Sequence, residues 1–116
     1  MVRGKDDLKD MISSLNKNAR ARELMSVWPR VLKLDLEEEK KPFYLVIDQG
    51  QMALKEKVDK PVDIVISGSI GAFMDVMMGR KDVTYPIAHG DLKIAKERVP
   101  DMITFSRILR TQERRR

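Results

Sequence analysis

"PVDIVISGSIGAFMDVMMG", residues 61–79, changes its apolar spacing halfway along, and that change sets the architecture of the chain. Val62, Ile64 and Ile66 recur at every second position, as on one face of a β-strand. From Ile70 the spacing becomes helical: Ile70, Phe73, Met74, Met77 and Met78 fall at i, i+3, i+4, i+7 and i+8 and share one stripe. Ser69 stands where a helix N-cap belongs, and Gly79 where a helix ends. A strand therefore runs straight into a short helix whose apolar stripe consists largely of deformable side chains.

Working back from this segment, a period of two dominates. "VLKLDL" alternates Leu32, Leu34 and Leu36 with Lys33 and Asp35. The charge run "EEEKK" reads as a solvated hairpin turn, "PFYLVID" as the returning strand, and "QMALKEK", with Met52 and Leu54 alternating with Ala53 and Lys55, as a third. Gln49 and Gly50 form the second turn, Gly50 supplying a positive φ. Residues 31–57 are thus a three-stranded antiparallel meander.

Before it, residues 6–28 form a helical segment with two stripes, Leu8, Met11, Ile12, Leu15 and then Ala21, Leu24, Met25, Trp28. At 100° per residue the stripes lie nearly opposite one another, so a straight helix would need burial on both sides. A break near Asn16–Asn18 lets both face one core, with Asp6 or Asp7 as the first cap and Pro29 as the terminator.

After Gly79, "RKDVTYPIAHG" reads as irregular or a short helix. A fifth strand follows over residues 91–97, with Leu92 and Ile94 alternating with Lys93 and Ala95. A terminal helix over 100–112 opens on Pro100 and Asp101 and places Met102, Phe105, Ser106 and Leu109 on one side. The segregated order, with strands at 31–57 and 62–67 and helices at 69–78 and 100–112, specifies a single α+β domain over residues 1–116. Its sheet is mostly antiparallel, five-stranded and covered on one face by helices.

Composition narrows the function. There is no cysteine, which excludes disulfide frameworks, thiolate metal sites and cysteine nucleophiles. No apolar run reaches membrane-span length and "MVRGKDDLKD" lacks a signal-peptide core, so a soluble cytoplasmic protein is expected. The formal net charge of +5 is concentrated at one end: residues 98–116 hold six arginines against Asp101 and Glu113, a net +4, which leaves +1 for the first 97 residues. Such an end suits the C-terminal helix dipole as well as phosphate on RNA or lipid.

Catalytic candidates are few. His89, the single histidine, stands in "AHGD" with no nucleophile motif beside it, and the carboxylates at Asp6, Asp7 and Glu37 to Glu39 sit where caps and turns call for acids. "SGSIG" has neither the spacing nor the lysine of a phosphate-cradling loop. No enzyme, metal or cofactor is expected. Eight methionines outnumber the six aromatic residues, and methionine both fills irregular cores and lines surfaces that accept varied apolar partners.

The stretches "DIVISGSIGAFMDVMMGRKD" and "YPIAHGDLKI" resemble the sterol carrier protein two family of lipid-binding domains. The matching positions are Val62 to Ser67, then Phe73, Met74 and Met77, then Gly79 with Arg80, then Gly90 to Ile94, and "YLVIDQGQMAL" takes the place of the family's hairpin. The likeness spans about residues 31–110. The sequence departs from the pattern at Ala95 and Lys96, and it ends in three arginines rather than a peroxisomal tripeptide.

The resemblance implies an apolar tunnel between sheet and helices for a fatty acid, acyl-CoA or sterol-like lipid. Its walls would be Met52, Leu54, Ile64, Ile66, Ile70, Phe73, Met74, Met77 and Ile94, with Met102, Phe105 and Leu109 closing one end. Two alternatives stay open: a basic module acting on RNA or an anionic surface through the arginine-rich end, and an accessory domain with its cavity closed. Nucleic acid is the weaker partner, because exposed aromatic and basic strand patterns are missing. Arg114, Arg115 and Arg116 could touch anionic membranes, and the apolar second face of "FYLVI", Tyr44 and Val46, could form a homodimer.

Overall fold

The computed structural model describes residues 4–37, 39–78 and 81–111, with side chains from Leu8 onward. The N-terminal segment is two helices, α1 (Gly4–Lys17) and α2 (Ala19–Ser26). The break falls at Asn18, whose backbone N–H donates to Leu15 and whose side-chain oxygen accepts from Ala21 N at 3.0 Å, so one residue ends α1 and caps α2. Leu8, Ile12 and Leu15 on α1, Ala21 and Met25 on α2, and Trp28 just beyond are all buried in one core. The expected cap at Asp6 or Asp7 is corrected: both lie inside α1, which is already helical at Gly4.

The meander is β1 (Arg30–Leu36), β2 (Phe43–Asp48) and β3 (Gln51–Lys55). Its alternation appears directly in burial: Leu32, Leu34, Leu36, Phe43, Leu45, Ile47 and Met52 point into the core. The β2–β3 turn needs left-handed backbone at both central residues, Gln49 at φ 53° and Gly50 at φ 77°, the requirement of a two-residue hairpin.

β4 (Ile64–Gly68) lies parallel to β1, from Leu32 opposite Ile64 to Leu36 opposite Gly68, so the sheet order is β3-β2-β1-β4-β5 and every other pairing is antiparallel. The fifth strand is shorter than expected. β5 is only Leu92–Lys93, paired with Gly68 and Ser67, and Lys96–Arg98 forms a 3-10 turn instead of continuing the strand. Ile94 and Ala95 leave the sheet because the chain must turn to enter α5 (Val99–Arg110), whose first turn holds Pro100. The crossing at Gly68 is close: φ is +138°, and a Cβ there would stand 2.1 Å from the Asp91 carbonyl oxygen.

α3 (Ile70–Met77) begins as the sequence specifies, with Ser69 Oγ accepting from Ala72 N at 3.3 Å. Its buried residues are Phe73, Met74, Val76 and Met77, and Ile70 is half-buried. Met78 does not belong to the stripe: it is the C-cap residue and is 41% exposed, while Val76 takes the buried place. Gly79 lies outside the described residues. α4 (Thr84–Ala88) fills part of the segment after it, and Val83 just before α4 is buried. α1, α2, α3 and α5 pack together over the leucine face of the sheet.

Candidate functional site

The twelve residues expected to form an apolar wall do converge. Met52, Ile64 and Ile66 from the sheet, Phe73, Met74 and Met77 from α3, and Met102, Phe105 and Leu109 from α5 are each at most 8% exposed and join one cluster. Leu54, Ile70 and Ile94 are partly buried and pack against it. The geometry follows from two periodicities meeting: alternate strand residues project from one sheet face, and i, i+3, i+4 residues of α3 and α5 project onto it. Leu32, Leu34, Leu45, Val76 and Ile108 share this cluster and were missing from the expected wall. The alternation of β1 and β2 carried the signal for the three leucines.

The chemistry of this layer is uniform. The buried polar residues among those described are Ser106 and Thr111, both on or beside α5, and the Thr111 hydroxyl donates to Ile108 O at 2.7 Å. A layer of thioethers, aliphatic chains and aromatic rings can hold hydrocarbon.

Two clefts reach the expected wall through β3, one bordered by Met52 and one by Leu54. The cleft beside Leu54 runs between α1 and β3 and is lined also by Ile12, Ser13 and Asn16. Asn16 bridges it: its side-chain amide donates to Met52 O and accepts from Met52 N, both at 2.8 Å. The amide thus takes the place of a neighbouring strand on the open edge of β3.

A polar cluster marks the other end of the wall. Asp101, in the first turn of α5, accepts from Trp28 Nε1 at 3.3 Å and from Arg98 Nη1 at 3.1 Å, with Arg30 Nη2 at 3.5 Å. The Trp28 ring stacks on Phe105 with centroids 6.3 Å apart, and the Arg30 guanidinium lies over it at 5.2 Å. Trp28 therefore touches a wall residue directly and is tied to the surface by its N–H.

His89 caps α4, stacks on Tyr85 at 4.1 Å and places Nδ1 2.9 Å from Tyr85 O. At the start of that helix, Asp82 accepts from the Thr84 backbone N–H and hydroxyl, at 3.0 and 2.9 Å. The backbone bond first, then the hydroxyl and the charge of Arg110, hold its carboxyl below the ordinary aspartate value against the opposing pull of burial.

A five-stranded open sheet with helices on one face, enclosing an apolar layer between the two, defines a small α+β domain. Residues 8–97 match the SCP-2 sterol transfer family, and the chain belongs to it. Membership supports a lipid-binding or carrier role in general. Among solved structures, the ubiquinone synthesis protein UbiJ-SCP2 superposes with a TM-score of 0.67 at 16% identity, covering 87% of this chain and 90% of that one. Sterol carrier protein 2 from Yarrowia lipolytica, in its apo form, gives 0.63 at 17%, covering 91% and 86%. The inverting sec-alkylsulfatase Pisa1 from Pseudomonas sp. gives 0.58 at 12%, covering 71% of this chain but 13% of the enzyme, so the same fold also occurs as a small part of a larger catalyst. These likenesses are of fold. No curated protein sequence matches the chain.

Proposed function

We propose that this protein is a non-catalytic, cytoplasmic carrier that takes the hydrocarbon part of a fatty acid, acyl-CoA, sterol or isoprenoid-like lipid between the sheet and helices α3 and α5. The observation that carries the reading is the composition of that interface. Met52, Met74, Met77 and Met102 come from three different elements into one buried cluster, together with Phe73 and Phe105. Methionine has three rotatable bonds and no branch, so a wall of thioethers can re-form around different chain shapes at low cost. An ordinary core of this size would gain uniqueness from branched side chains. Displacing these side chains and lifting α3 or α5 would widen the room for a guest.

Magnitudes allow it. Burying about a dozen methylenes at ~0.8 kcal/mol each gives roughly 10 kcal/mol, and association costs several kcal/mol. A net of about 6 to 9 kcal/mol corresponds to a dissociation constant from tens of micromolar to below one micromolar, which suits release as well as capture.

The near-complete burial of the same wall favours a second reading, an accessory domain whose core stays shut. Native mass spectrometry of freshly purified protein separates the two, followed by thermal melts with saturating fatty acid. A co-purified lipid or a raised melting temperature is the expected result. Bare protein with no shift across several lipid classes leaves the accessory domain as the better description.

A further inference from the structure

The surface built by α4 and the outer side of α5 differs from the rest of the helical layer. Tyr85 is 48% exposed and Ile103 50% exposed, two large apolar side chains on elements that face a common recess of about 340 Å³. Lys81 sits with its ammonium 4.7 Å from the centre of the Tyr85 ring, and Arg107 and Arg110 rise from α5 along the same side as Ile103, at i+4 and i+7. Among the described residues, Asp82 pairs with Arg110 at 3.1 Å and Asp75 with Lys81 at 4.0 Å on this side. Arg107 makes no ion pair among the described residues.

We propose that this α4–α5 surface docks the protein onto an anionic lipid bilayer, Ile103 and Tyr85 entering the headgroup boundary and Lys81, Arg107 and Arg110 meeting lipid phosphate and carboxylate. An exposed aliphatic chain flanked by cations is the composition of an interfacial membrane contact: the apolar group is buried and the cations extend to the headgroups. Within α5, Arg107 and Arg110 outnumber Asp101, and in sequence residues 98–116 carry a net +4. α1, the other outward helix with many charges, carries Lys5, Lys9 and Lys17 against Asp6, Asp7 and Asp10 and so has no net attraction to offer. RNA is the poorer partner, since Ile103 gives no face on which a base could stack and the Tyr85 ring is already stacked on His89 with Lys81 over it.

Docking requires no lipid in the core, so it goes beyond the carrier reading, and its failure would leave that reading intact. The test is co-sedimentation of the full chain with vesicles of phosphatidylcholine alone and of phosphatidylcholine with phosphatidylserine, at several salt concentrations. Wild-type protein should bind the anionic vesicles, bind neutral ones weakly, and release as salt rises. Arg107→Glu should lower the partition about thirtyfold, as reversal of one charge at an anionic surface predicts. Ile103→Ser should weaken binding while keeping its salt dependence. Lys57→Glu, the same charge change in a loop away from α4 and α5, should cost much less, and melting curves confirm that all three fold. The proposal is overturned by absent wild-type binding, by equal binding to neutral vesicles, by Arg107→Glu behaving like Lys57→Glu, or by tighter binding to single-stranded RNA than to vesicles.

Discussion

β1 is paired along both edges, with β2 through five residues and with β4 through five, whereas β5 holds the sheet through two. The first region is the rigid frame of the molecule. The second, reached through α3 and α4, supplies much of the apolar layer but has few ladder bonds to fix it. Stability in such a fold is distributed unevenly, and local opening is cheapest where cross-strand pairing is shortest. A carrier needs this difference: one wall must keep its shape while the other yields to an entering chain.

The largest expected effect tests whether the short end is nonetheless anchored at one point. Gly68→Ala puts a Cβ against the Asp91 carbonyl oxygen and forces an L side chain to φ +138°, so denaturant melts should show a loss of about 3 kcal/mol or more. Gly90→Ala is the internal comparison, because φ is +79° but a Cβ there meets nothing within 4 Å, and it should cost about 1 kcal/mol. Equal losses would mean that the close crossing does not hold β5 in place.

On the rigid side, Asn16→Ala removes both 2.8 Å bonds to Met52 and exposes the outer edge of β3. A loss of about 1 to 3 kcal/mol is expected, with faster amide exchange at Met52. Unchanged exchange there would show that water replaces the amide without cost.

The smallest effect on stability sharpens the comparison most. Replacing Met74 and Met77 together by leucine keeps volume and hydrophobicity, and should change stability by less than about 1.5 kcal/mol. The range of lipids that shift the melting temperature should nevertheless narrow, because leucine has fewer shapes to offer. An unaltered lipid range would show that the thioethers serve packing alone.

Much of the architecture was legible because it is written in local patterns. The switch from alternate to helical spacing at Ser69 located β4 and α3, the run Asn16–Asn18 marked the break between α1 and α2, and Pro100 with Asp101 marked the start of α5. What could not be read depends on partners distant in sequence. The parallel pairing of β1 with β4 places the meander on one side of the sheet. The Gly68 to Asp91 crossing limits how far β5 can run, and Asn16 reaches Met52 across 36 residues. Ile94 alternated correctly with Leu92, yet the path into α5 took it out of the sheet. The candidate site was legible as a set of apolar positions. Met78 looked like a member because it continues the spacing of α3, but the helix ends one residue earlier and its side chain turns outward.

The most direct measurement is the methyl spectrum of protein labelled at its eight methionines, recorded while a long-chain fatty acid is added. The methyls of Met52, Met74, Met77 and Met102 should move together, with Met11 on the half-buried side of α1 nearly unaffected. Resonances that stay fixed, or movement confined to methionines outside that group, would contradict a guest between the sheet and the two helices.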